Sequence, residues 1–160
     1  MAKTPEVGAP APDFTLPGIV LSDGTVERGE YTLSAERGHP VVLAFYPGDE
    51  TAVCTKQLCS YTSELDRYKG LDATVWGIST QGLDSHEKFA RKHGLAFPLL
   101  ADSASATVKE YGIGLPGLGL RRSVFIVDAE GVLRWKHVAL VGLTYQNNDT
   151  ITEQLAKLRP

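Results

Sequence analysis

The sequence predicts an α/β fold, with a mixed central sheet, helices on both faces and a small N-terminal β extension. Two runs, 41–46 and 73–79, are apolar enough to be strands buried on both faces. The first is followed by a segment whose apolar residues recur at helical spacing and the second by a helix-start signal, the pattern of strand, crossover helix, strand. Further on, Ser123–Val127 and Val132–Val138 flank the turn Asp128-Ala129-Glu130-Gly131, which reads as a hairpin and hence an antiparallel pair.

Residues 5–12 carry three prolines and read as an extended arm. Asp13–Leu16 and Tyr31–Ser34 alternate polar and apolar around a Ser22-Asp23-Gly24-Thr25 turn, giving the small β element, with 26–30 read as loop. Gly38-His39-Pro40 punctuates the chain before strand 41–46. The helix expected over 51–68 places Leu58, Tyr61, Leu65 and Tyr68 on one face, with Gly70 as its C-cap. Asp84-Ser85-His86-Glu87 reads as a capping box opening a second helix that stops at Gly94. A short strand at 97–100 and a short helix at 103–111 follow. Residues 112–120, with four glycines and a proline, read as loop, and a final helix from Asp149 to Leu158 aligns Ile151, Leu155 and Leu158. The order is β-α-β-α and then β-β-α. A right-handed crossover makes the first strand pair parallel, which is the thioredoxin-like arrangement. Nothing in the sequence divides it, so residues 1–160 are expected to form a single domain.

Composition narrows the function. The 42% hydrophobic content suits a buried core, and a net charge of −3 gives no sign of a nucleic-acid or anionic-membrane surface. No apolar run approaches the roughly 20 residues of a membrane span. The residues after Met1 lack the apolar region of a signal peptide, so a cytoplasmic location is expected, where thiols stay reduced. Two cysteines with no histidine nearby in sequence do not make a zinc site. Neither a metal nor an organic cofactor is expected.

The chemistry concentrates in residues 45–59. A strand, a Pro47-Gly48 break and a helix put Cys54 in a first helical turn, where unpaired N–H groups and a partial positive charge favour thiolate over thiol. Thr51 lies one turn earlier on the same face, and its hydroxyl can donate to a substrate oxygen and accept from it. Pro47 offers an apolar wall without an N–H. Tyr46 reads as a pocket-lining residue rather than an acid. Asp49 and Glu50 read as a helix cap and a helix-start charge. The four histidines are scattered and read as structural or exposed, and the glycines of 112–119 as plain loop.

Pro47-x-x-x-Thr51-x-x-Cys54, directly after Phe45-Tyr46, resembles the active-site signature of the peroxiredoxins. The Cys54-x-x-x-x-Cys59 spacing is similar to the peroxiredoxin Q, or bacterioferritin comigratory protein, subgroup. The likeness runs through Trp76–Ser79, Phe97–Asp102 and Arg122–Asp128, roughly residues 6–140 in matching order. It departs at Ala52, where many members carry proline, in a shorter 112–120 loop, and over Val141–Asn148, which has no clear counterpart. The resemblance implies a thiol peroxidase reducing hydrogen peroxide or organic hydroperoxides. Cys54 is then the peroxidatic cysteine, Thr51 and Pro47 shape the peroxide pocket, Tyr46 and Val53 line it, and Cys59 is the resolving cysteine. Arg122 is the active-site arginine, favoured over its neighbour Arg121. Electrons would come from a thioredoxin-like dithiol protein, and the chain would be a monomer or weak homodimer.

A Cys54–Cys59 disulfide carries a geometric demand. Residues five apart on an intact helix sit about 140° apart in azimuth with Cα atoms roughly 8–9 Å apart, whereas a disulfide needs them within about 7 Å. The helix must therefore unwind around 54–59 in each cycle. Two other functions fit the same fold: a thiol–disulfide oxidoreductase, disfavoured because C-x-x-x-x-C does not pre-place the sulfurs as C-x-x-C does, and a redox-sensing adaptor without turnover.

Overall fold

The computed structural model describes residues 3–117, 119–139 and 145–158. The chain begins with an arm laid along a later strand: Gly8 N–H donates to Leu133 O at 2.7 Å, and Ala11 N–H to Gly131 O at 2.9 Å. Two eight-residue strands follow, β1 (Thr15–Ser22) and β2 (Thr25–Thr32), paired antiparallel along their full length. The turn between them has φ +49° at Asp23 and +78° at Gly24, the two left-handed residues of a tight hairpin. Residues 26–30, expected to be loop, are thus the middle of β2. This edge strand carries Glu27, Arg28 and Glu30 exposed, so no apolar alternation marks it; the ladder to β1 makes it a strand, and its charges guard the edge.

β3 (Val41–Phe45) is wholly buried. Helix α1 (Ala52–Ser63) and the short α2 (Leu65–Gly70) replace the single helix expected over 51–68. The break falls at Glu64, after a last turn in which the Ser63 hydroxyl donates to Ser60 O at 2.8 Å and competes with the helix ladder. Gly70 is the last residue of α2 rather than its cap: Leu71 follows, and the left-handed position is taken by Asp72 at φ +59°. β4 (Thr74–Ser79) precedes α3 (Leu83–His93). The N-cap of α3 is Gly82, without a side-chain cap, so no capping box forms. Asp84 and Glu87 turn instead to Arg28 on β2, Asp84 at 2.6 Å. Gly94, at φ +64°, ends the helix as expected.

β5 (Leu99–Ala101) and α4 (Ala106–Glu110) follow. Within the segment read as loop, β6 (Gly114–Leu115) and β7 (Gly119–Leu120) pair as a minimal ribbon. Leu118, between them, lies outside the described residues. β8 (Ser123–Val127) and β9 (Leu133–Val138) form the expected hairpin. Of the stretch 141–148, residues 141–144 also lie outside the described residues. The last helix, α5 (Asn148–Ala156), starts one residue before expectation because the Asn147 side chain caps it, accepting from Thr150 N–H at 2.9 Å. Leu158 falls just beyond its end.

The main sheet runs β2-β1-β5-β4-β3-β8-β9. β3, β4 and β5 are parallel and every other pairing is antiparallel. The N-terminal hairpin is therefore part of the main sheet, joined through β1 to β5. Alternation along β3 divides the core: Val42 and Ala44 face α1, α2, α3 and α5, while Val41, Leu43 and Phe45 face the 3-10 turn Leu33–Glu36 and α4. This is the thioredoxin-like mixed sheet with helices on both faces. No helix among the described residues is long and apolar enough to cross a membrane.

Gly77 on β4 permits the close approach of α1. A Cβ there would lie 2.9 Å from Leu99 Cδ2 and 3.0 Å from Leu58 Cδ2. Gly77→Ala is expected to cost about 1–3 kcal/mol by overpacking, read as a lower urea midpoint with an unchanged slope.

Candidate active site

At the carboxyl end of β3 the chain turns through Pro47, Gly48, Asp49 and Glu50 into α1. Glu50 is left-handed at φ +64°, and its carboxylate is tied to His93 Nε2 at 3.0 Å and Lys92 Nζ at 3.7 Å. Thr51 is the N-cap of α1, but its hydroxyl donates back to Gly48 O at 3.0 Å rather than capping. The hydroxyl's donor capacity is thereby used, and its lone pairs remain. The first turn of α1 has neither a side-chain cap nor an acidic residue, so its positive end faces outward uncompensated.

Cys54 is the third residue of α1 and has no exposed surface. Above it Thr51 and Ala52 are exposed, while Pro47 and Val53 are half-buried. Arg122, between β7 and β8, is only 4% exposed. Its Nη2 donates to Cys54 Sγ at 3.2 Å, and its Nη1 donates to Gln57 Oε1. Gln57 Nε2 in turn donates to Tyr61 OH at 3.1 Å, and Tyr61 OH to Gln146 O at 2.7 Å. The Arg122 backbone is held by Ala139 N–H donating to its carbonyl at 2.9 Å. Arg121 points elsewhere, its Nε donating to Ala139 O at 3.1 Å.

Sequence reasoning missed Gln57, although the signal was present. It is a polar residue on the buried stripe of α1 shared with Cys54, Leu58 and Tyr61, three positions after the cysteine. Also missed was Gln81, whose Oε1 accepts from Asp49 N–H at 3.0 Å and Ser79 OH at 2.8 Å.

Asp49 does not cap α1. Its carboxylate is buried: Oδ1 accepts from Tyr46 OH at 2.7 Å, and Oδ2 accepts from Ser85 OH at 2.7 Å and faces His86 Nδ1 at 2.7 Å. Tyr46 is fully buried, and burial with the adjacent Asp49 charge pushes its phenol well above the ordinary value. Burial alone would raise the Asp49 carboxyl. The bonds from His86, Ser85 and Tyr46 outweigh it and hold the carboxyl below its ordinary value. A depressed folded-state value adds stability above the unfolded pKa of about 3.9, and this is lost as pH falls through the lower folded value. Asp49→Asn is therefore expected to lower the urea midpoint at pH 7, with the gap to wild type closing as the medium is acidified below about pH 4.

Cys59 lies on the same helix, half-buried against the core, and both thiols are free. Burial pushes the Cys59 thiol up. Two clefts of about 550 and 560 Å3 lie elsewhere, at the opposite end of the sheet; Pro40 and Asp128 line one, and Arg37 and His39 the other.

A thioredoxin-like sheet with a cysteine at the head of a helix and a buried arginine against its sulfur defines a class of thiol proteins. The chain belongs to the AhpC/TSA family, whose model matches residues 7–136. It is 39% identical over 134 residues to the chloroplastic peroxiredoxin Q of Triticum aestivum, covering 80% of this chain and 57% of that protein. It is 34% identical over 142 residues to peroxiredoxin Bcp of Xanthomonas campestris, covering 83% and 86%. This chain thus spans little more than half of the wheat relative. Among solved structures, Mycobacterium bovis AhpC superposes with a TM-score of 0.87 at 21% identity, over 98% of this chain and 94% of that one, a likeness of fold.

Proposed function

We propose that the protein is a thiol-dependent peroxidase of the peroxiredoxin Q type. The observation that carries this reading is the Arg122 guanidinium 3.2 Å from the sulfur of Cys54, at the uncapped head of α1. Both features place positive charge where a thiolate and a departing oxygen need it. The Cys54 thiolate attacks one peroxide oxygen. The O–O bond breaks, and the other oxygen leaves with a proton as water or alcohol. The remaining lone pairs of Thr51 Oγ1 accept from the peroxide O–H, and Pro47 shields the sulfur from water.

The resulting sulfenic acid condenses with the Cys59 thiol, forming the S–S bond and releasing water. Both residues lie within α1, so α1 unwinds locally for this step. Unwinding exposes Cys59, relieves the burial that holds it as thiol, and readies it to attack. A dithiol protein of the thioredoxin type then supplies two electrons by exchange.

The test is steady-state consumption of hydrogen peroxide with thioredoxin, thioredoxin reductase and NADPH. Sustained turnover supports the reading, and none with either hydrogen peroxide or an organic hydroperoxide rejects it. In the same assay Cys59→Ser is expected to complete one oxidation of Cys54 and then lose recycling by thioredoxin, leaving less than about 1% of wild-type turnover.

A further inference from the structure

The buried Asp49–His86 pair is not used by the chemistry above, yet it joins the loop that leads into Cys54 to α3, on the same face of the sheet. His86 Nε2 lies 3.0 Å from Leu100 O, which can only accept, so Nε2 carries a hydrogen. His86 Nδ1 lies 2.7 Å from Asp49 Oδ2, and two facing lone pairs would repel at that distance, so a proton lies between them. Both side chains are essentially sealed from solvent, at 0% and 2% exposure. The two residues therefore share one buried proton, and its hydrogen bond ties the 46–51 loop to α3. Ser85 and Tyr46 complete the carboxylate's bonds, while Gln81 fixes the Asp49 backbone.

The geometry points to Asp49 and His86 as positioning residues: a proton-bridged latch that holds the Pro47–Thr51 loop closed over Cys54, favouring peroxide over bulkier electrophiles. The inference rests on the peroxidase reading for what the loop positions. Asp49 lies between the two residues that wall the sulfur, and Cys54 has no exposed surface while the loop is in place. With the latch broken, the loop swings more freely. Larger reagents then reach the sulfur more easily, and Pro47 and Thr51 are less often placed for peroxide. The titratable groups facing the pair are Tyr46, from the end of β3, and beyond it Cys54 on α1. α3 contributes the neutral Ser85 and Phe89, and β5 the Leu100 carbonyl.

The test compares two rates at one sulfur in a Cys59→Ser background: oxidation of Cys54 by hydrogen peroxide and its alkylation by iodoacetamide. Both need the thiolate, so their ratio cancels its titration. Asp49→Asn, His86→Asn and the double variant are each expected to lower the peroxide-to-iodoacetamide ratio about tenfold. The double variant should be no worse than either single one, because the pair acts as a unit. An unchanged ratio, or additive losses, would overturn the latch. A second readout needs no peroxide: amide exchange at Asp49, whose N–H donates to Gln81, should speed up about tenfold in folded Asp49→Asn. Unchanged protection there would overturn the latch even if the wild type failed to react with peroxide, the outcome that sinks the peroxidase reading itself.

Discussion

Cys54→Ser is expected to abolish peroxide consumption, by roughly 10^4-fold or more, while leaving the fold intact. A serine hydroxyl fits the space but ionises far too weakly to be the nucleophile, even beside Arg122 and the head of α1. The measurement is peroxide loss over time with the thioredoxin system, alongside a urea unfolding curve. Serine is close in volume to cysteine, so the unfolding midpoint should move little. Residual consumption above a tenth of wild type would place the chemistry at another residue, and Cys59 would be the one to examine.

Arg122→Lys and Arg122→Ala carry the next largest effects. The guanidinium spans two partners with its fork, Cys54 Sγ through Nη2 and Gln57 Oε1 through Nη1. Lysine keeps the charge, but its three donors sit on one nitrogen, so it lacks the fixed planar fork that spans both partners. Peroxide attack on the reduced protein is expected to slow about 10^2-fold in Arg122→Lys and about 10^3-fold in Arg122→Ala. The alanine variant also leaves the buried Gln57 oxygen without its donor, which costs stability by about 1–3 kcal/mol. Stopped-flow oxidation at a temperature where both variants stay folded separates the kinetic loss from that cost. A lysine variant as fast as wild type would mean that charge alone suffices and the fork is immaterial.

What the sequence disclosed follows from where local signals are strong. β3, β4 and β8 carry continuous apolar runs because both faces are covered, and they were legible at once. α3 was read from a capping box and its terminal Gly94, and the helix is there although the box does not form. Asp84 and Glu87 satisfy Arg28 across the edge of the sheet, a partner no local rule supplies. β2 was half missed because an edge strand with exposed charges has no alternation to read. The break between α1 and α2 arises from a serine turning back on its own helix, which spacing does not reveal.

The candidate site divides in the same way. Thr51, Cys54 and Cys59 lie on one short segment and announce themselves by spacing. Arg122 comes from 68 residues further on, and Gln57 looked like an ordinary helix polar residue until the arginine arrived against it. Asp49 was read as a cap because aspartate before a helix usually is one. Its burial depends on His86, which reaches it from a different helix 37 residues away. Long-range polar pairs leave no periodic trace, and the parts of the site built from them became visible only with the fold.

The central claim is that the sulfur of Cys54 is an ionised nucleophile for peroxide and that α1 then opens to let Cys59 reach it. Its most direct test mixes the fully reduced protein with one equivalent of hydrogen peroxide, quenches at increasing times, and maps the products by intact and peptide mass. The expected result is oxidation far faster than that of free cysteine, a transient sulfenic acid on Cys54, and then loss of water to give an internal Cys54–Cys59 disulfide that lacks two hydrogens of the reduced protein. Oxidation no faster than that of free cysteine, or a sulfenic acid that never becomes the internal disulfide, would contradict it.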